Sequence, residues 1–176
     1  MIARRHGWVA LVLALSAGAV ALLNTNGTGT TPAALDEQLT ADMRTTLERS
    51  GPEQHQHAGH GAQQEGEVIC GVRVYGHEPR GAGALPEVRT VYGFHLCGVA
   101  EPGRPWDVAV KLAGPVILDM TTDPPGIQVV EATADVRFID RLHEMFPPEY
   151  AEVASREALS EAEAAELRRR YDEAAF

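Results

Sequence analysis

Cysteine, basic charge and catalytic signatures are all scarce in this chain of 176 residues. No glycine-rich phosphate loop and no G-x-S-x-G nucleophile elbow occurs in it, which removes the usual sequence grounds for an NTPase or an α/β-hydrolase. Gly81-Ala82-Gly83 lacks a third glycine and does not open a helix, so it is no dinucleotide fingerprint. His143-Glu144-Met145-Phe146-Pro147 begins like the metalloprotease H-E-x-x-H but ends in proline where the second ligand should stand. Leu142, Met145 and Phe146 read instead as a packing helix with His143 at its surface. No internal repeat is visible.

Basic residues are few. Setting aside Arg4 and Arg5 of the leader leaves 13 basic against 25 acidic residues, a net charge of −12. Such a surface repels phosphate, so nucleic acid and anionic lipid are excluded as expected partners. Basic proteins or cations are electrostatically suited to it.

What is present begins with the leader, MIARRHGWVALVLALSAGAVALL. A cationic start (Arg4, Arg5), an uncharged apolar run from Trp8 and two overlapping Ala-x-Ala triplets before Leu23 make the layout of an export signal. Positive charge ahead of the run keeps the N-terminus inside, so everything after Leu23 is expected outside the cytoplasm. Two fates fit residues 1–23. Gly7 to Leu23 is 17 residues, the short limit for a membrane anchor, and cleavage after Ala19 or Ala21 would release the chain instead. No cysteine near the end of the run offers a lipid anchor.

Residues 24–65 read as a linker carrying one helix, over 32–49. Asn24 to Thr31 is Gly/Thr/Asn-rich, and Asn26-Gly27-Thr28 formally matches a glycosylation sequon. Thr31 suits the N-cap and Pro32 the first helical position, while Asp36 and Glu37 complement the helix dipole. Leu35, Leu39, Met43 and Leu47 form a narrow stripe that needs a surface to dock on. Gly51-Pro52 should stop the helix. Glu53 to Glu67 is low-complexity Gln, His, Gly and Glu, expected to be flexible.

Residues 66–176 are expected to form a small α+β extracytoplasmic domain, a four-stranded antiparallel meander packed by C-terminal helices. Val68, Cys70, Val72 and Val74 alternate along a first strand, and His77 to Pro86 reads as a loop. The second strand, about Val88 to Ala100, has Tyr92, Phe94 and Leu96 on one face and Val91, His95, Cys97 and Val99 on the other, as a central strand would. A third is expected from Trp106 to Met120 on even positions, with Pro115 at a bulge or edge. A fourth follows from Val130 to Phe138, and the meander is expected to keep one face wetted. Helices then follow at Leu142–Phe146 and Tyr150–Ala154. A third opens on a Ser160–Glu163 capping box and carries Ala164, Leu167 and Tyr171 on one face.

Three groups could carry chemistry. Cys70 and Cys97, both expected outside the membrane, should pair, and closing a loop of about 28 residues should contribute roughly 3.5 kcal/mol. The alternatives are a metal-thiolate pair, against which the lack of a flanking ligand cluster speaks, or two unpaired buried thiols. A Cys97–His95 catalytic pair would need the thiol free. His55, His57 and His60 form an H-x-H-x-x-H cluster of imidazoles suited to Zn, Cu or Ni. On a flexible segment, only weak binding is expected, because the chain must be ordered first. No dedicated cofactor is expected. Trp106, Tyr92 and Phe94 read as core aromatics.

VRTVYGFHLCGVA and RLHEMFPPEY, set in an Arg/Ala/Val/Gly-heavy composition, resemble N-terminally anchored or exported proteins of high-GC Gram-positive bacteria, a group with no assigned activity. The resemblance implies source and compartment and carries over no functional residue. The expected function is a non-enzymatic extracytoplasmic binding or envelope-associated module whose partner is another envelope or extracellular protein. It would touch the membrane through its N-terminal segment if uncleaved. The rival is a metal-handling protein using the His cluster. A hydrolase with an unrecognised site is the third reading.

Overall fold

The computed structural model describes residues 31–50 and 66–176. Helix α1, Pro32–Arg49, is followed by strands β1 (Glu67–Glu78), β2 (Thr90–Ala100), β3 (Lys111–Asp119) and β4 (Gly126–Val129). Helices α2 (Phe138–Met145), α3 (Pro148–Ala154) and α4 (Glu161–Ala175) complete the chain. The four strands pair antiparallel in the order β1-β2-β3-β4, a simple meander, so β1 is an edge strand.

Both faces of the sheet are covered, where a wetted face was expected. The Leu35, Leu39, Met43 and Leu47 stripe of α1 packs on Val68, Cys70, Val72, Val91, Cys97, Val116 and Leu118. The stripe finds its docking surface here, so the core draws on α1 as well as on residues after 66. The opposite face is divided between two clusters. Tyr92 and Ile117 meet Leu142, Phe146 and Ala151 from α2 and α3, and Ile69 meets Leu167, Tyr171 and Ala175 from α4. The apolar residues on both sides of β2 are the sequence trace of this double burial.

Helix boundaries follow local chemistry. Ala34 N–H donates to the Thr31 hydroxyl at 3.2 Å, with Pro32 in the first turn. Ser160 and Glu163 form the expected capping box of α4. On α4 the buried stripe is Leu167, Tyr171 and Ala175, while Ala164 faces solvent.

One expected strand is shorter than its alternation implies, and the fourth lies ahead of its expected place. Trp106–Val108 is a 3-10 turn and β3 starts only at Lys111. Trp106 is drawn edge-on to Tyr171 at 5.0 Å between centroids, above Gly98, which leaves Val108 and Val110 exposed. A Cβ on Gly98 would lie 2.7 Å from the Trp106 ring, so only glycine admits this contact. β4 spans Gly126–Val129, so no residue of the expected strand Val130–Phe138 is in one: Val130 is buried, 131–137 is a mostly exposed loop and Phe138 opens α2. Ala132 and Ala134 offer too little apolar area to hold a further strand length. β1 in turn runs through His77 and Glu78, which the sequence reading assigned to a loop. Pro115 is accommodated because its missing N–H belongs on the side away from β2; its carbonyl accepts from Val130 N–H at 3.1 Å.

Candidate functional site at the outer edge of the sheet

An edge strand leaves every second N–H and C=O unpaired, and proteins normally blunt such edges. On β1 the unpaired residues are set by Cys70, which lies directly opposite Cys97 with Cα atoms 4.1 Å apart. That spacing is the close, non-hydrogen-bonded kind of antiparallel pair, so the Cys70 N–H and C=O point away from β2. Both are taken. Cys70 N–H donates to Glu48 Oε1 at 3.0 Å, and Cys70 C=O accepts from Arg170 Nη1 at 2.9 Å. Arg170 Nη2 also donates to Glu48 Oε1, at 2.6 Å. α1 and α4, on opposite faces of the sheet, thus close over its edge.

Farther along β1 the edge is covered again. His77 C=O accepts from the Tyr150 hydroxyl at 3.3 Å, where Tyr150 lies against Gly76. Between these two caps, strict alternation directs the N–H and C=O of Val72 and Val74 outward, until the register shift between Val74 and Gly76. A cleft of about 210 Å³ runs along this stretch. Asp36 and Thr40 of α1 form one wall, Arg73 and Glu163 the other, with β1 from Val72 to Gly76 as its floor.

The second wall is an ion-pair network. Arg73 donates to Glu163 through Nε at 3.0 Å and Nη2 at 2.6 Å, and to Glu157 through Nη1 at 3.1 Å. Hydrogen bonding to Glu163 raises the Arg73 pKa against the opposing effect of burial. Burial alone would push the Glu163 carboxyl up, but bonds from Arg73 and from the Ser160 N–H and hydroxyl outweigh it and hold Glu163 below the usual range. Tyr75, whose hydroxyl donates to the Glu157 carbonyl, is pushed up to about 12, chiefly by burial. It stays neutral at physiological pH. The first wall differs: the Asp36 carboxylate is exposed and forms no ion pair among the described residues.

Of the residues singled out from sequence, Cys70 and Cys97 are bonded to each other as expected. The Cys–His pairing is thereby closed off. His95 is fully buried, and its Nδ1 meets Gly114 C=O at 2.9 Å. His143 is exposed on α2, as expected. His55, His57 and His60 lie outside the described residues, as do the leader and Asn26. Among the described residues no group of three or more His, Cys, Asp or Glu could hold a metal ion, and no helix is long and apolar enough to cross a membrane.

No family model, curated protein or solved structure matches this chain.

The site therefore stands on its own geometry. Glu48, Arg170, Arg73 and Asp36 were not legible in sequence as a group. Asp36, Thr40, Arg44 and Glu48 do recur every fourth residue beside the apolar stripe of α1, which places them on one flank of the helix. That flank overlooks β1 only because α1 docks where it does. What the cleft offers is main-chain donors and acceptors beside an unpaired carboxylate, which is the chemistry of holding an extended polypeptide.

Proposed function

We propose that this chain is a non-enzymatic extracytoplasmic binding module, associated with the cell envelope, that receives an extended segment of another envelope or extracellular protein along β1. The observation that carries the reading is the stretch Val72–Gly76, whose outward main-chain groups are not capped among the described residues, lying between edge groups that are satisfied by Glu48, Arg170 and Tyr150. An edge blunted at both ends and open in the middle suits strand addition, in which main-chain hydrogen bonds supply affinity and the flanking walls supply selectivity. The export-type leader supports the compartment, and a buried disulfide fits an oxidising one. Whether the leader stays as an N-in anchor or is cleaved decides between tethered and released forms of the same module.

Selection from a displayed random-peptide library tests the reading with Val74→Pro as the comparator. Proline there removes an outward N–H without breaking a bond to β2. Selected peptides should slow amide exchange over Val72–Gly76 and lose binding to the variant, while circular dichroism confirms that the variant stays folded. Peptides that bind both forms equally, or protect another surface, would refute strand addition at β1.

A further inference from the structure

Resting on the strand-addition reading, we infer that the segment received by β1 is basic: an extended polypeptide with lysine or arginine at alternate positions, one of them meeting Asp36. The two walls of the cleft are not equivalent. Glu163 already accepts from Arg73 Nε and Nη2 and from the Ser160 N–H and hydroxyl, at 3.0, 2.6, 2.6 and 2.7 Å. All four fall on Oε2, while Oε1 has one longer contact, from Arg73 Nε at 3.4 Å, so what sets Glu163 apart is that its charge is already paired with the Arg73 guanidinium. Asp36, across the cleft, is exposed and makes no ion pair among the described residues.

Successive side chains of an added strand point to opposite faces. Every second one would therefore face the α1 wall that carries Asp36, and those between would face the ion-paired Arg73–Glu163 wall. The cleft is lined by two carboxylates (Asp36, Glu163) and one guanidinium, Arg73, with Glu157 beyond Arg73 and Arg44 one turn past Thr40 on the α1 flank. An acidic strand would be repelled. A second copy of this chain is disfavoured for the same reason: it would set Asp36 and Glu163 against their own kind, with α1 and α4 of each copy flanking the shared edge. Five residues of β1 line the cleft, so about 17 Å of extended chain fills it.

The test uses three synthetic peptides of about nine residues, alternating valine and threonine on one face with lysine, glutamine or glutamate on the other. They are titrated into the full-length chain in zwitterionic micelles at low ionic strength, and hydrogen exchange maps the site. The lysine peptide should bind about two- to fivefold more tightly than the glutamine peptide, the range of one exposed ion pair, and the glutamate peptide more weakly than either. Salt should compress the order. Exposed Asp36→Asn should abolish the lysine preference and Asp36→Lys should invert it, with protection remaining over Val72–Gly76. Equal binding of all three peptides, or a lysine preference that survives in Asp36→Asn, overturns the basic-strand inference but leaves strand addition standing. A lysine peptide N-methylated at its pairing amides that binds as well as its parent overturns both. So does the failure of all three peptides to bind at millimolar concentration.

Discussion

Glu48 and Arg170, 122 residues apart in the chain, meet at 2.6 Å across the edge of β1 and between them satisfy both main-chain groups of Cys70. Both side chains are about three-quarters buried, so the pair is neither a screened surface bridge nor a fully desolvated one. It joins the first helix to the last and blunts the edge beside the disulfide.

Replacing Arg170 by alanine should therefore cost more than an ordinary surface substitution. It leaves Cys70 C=O without its donor and Glu48 without its counter-charge, and a loss of about 1–3 kcal/mol is expected. Urea denaturation of the two single variants and the double variant with Glu48→Gln should show a coupling of about 0.5–3 kcal/mol. Strict additivity would mean the two side chains act independently.

The Cys70–Cys97 bond closes a separation of 27 residues between facing strand positions. Alkylation of denatured, unreduced protein should add no label. Replacing both cysteines by alanine should lower the unfolding free energy by about 2–5 kcal/mol. A loss well under 1 kcal/mol would mean that the α1 stripe, packed over the same spot, holds the two strands together unaided.

Glu163 links stability to pH. Its carboxyl titrates below its ordinary value when folded, so it contributes stability that is present above the unfolded pKa and lost as pH falls through the depressed folded value. Glu163→Gln keeps an acceptor for the helix cap but gives up the ion pair with Arg73. At pH 7 the variant should be less stable by about 0.5–1 kcal/mol, and the gap should close as the medium is acidified below the usual carboxylate range. A gap unchanged from neutrality to strong acid would show that the charge on Glu163 is irrelevant.

The binding-module reading also makes a statement about His55, His57 and His60. Calorimetric titration with Zn²⁺ should give weak binding, comparable to that of an isolated peptide of the same low-complexity sequence. One-equivalent, sub-micromolar binding that vanishes on triple replacement by alanine and raises the melting temperature would favour the metal-handling alternative instead.

Local signals were legible in the sequence wherever the deciding chemistry lies within a few residues. The Thr31 cap, the Ser160–Glu163 box, the stripe from Leu35 to Leu47 and the two-sided pattern of β2 all survive into the fold. The disulfide was expected as well, and the two cysteines do face each other in neighbouring strands. Tertiary structure decided the rest. Alternation from Trp106 and from Val130 describes which residues could face a core, but Tyr171 captures Trp106, and the alanines after Val130 bury too little to extend β4. Nothing within α1 indicates that its stripe would cover the second face of the sheet. Once it does, Asp36, Thr40 and Glu48 fall beside Arg73, Glu163 and Arg170 along one edge, a meeting of residues tens to more than a hundred positions apart that no local pattern encodes.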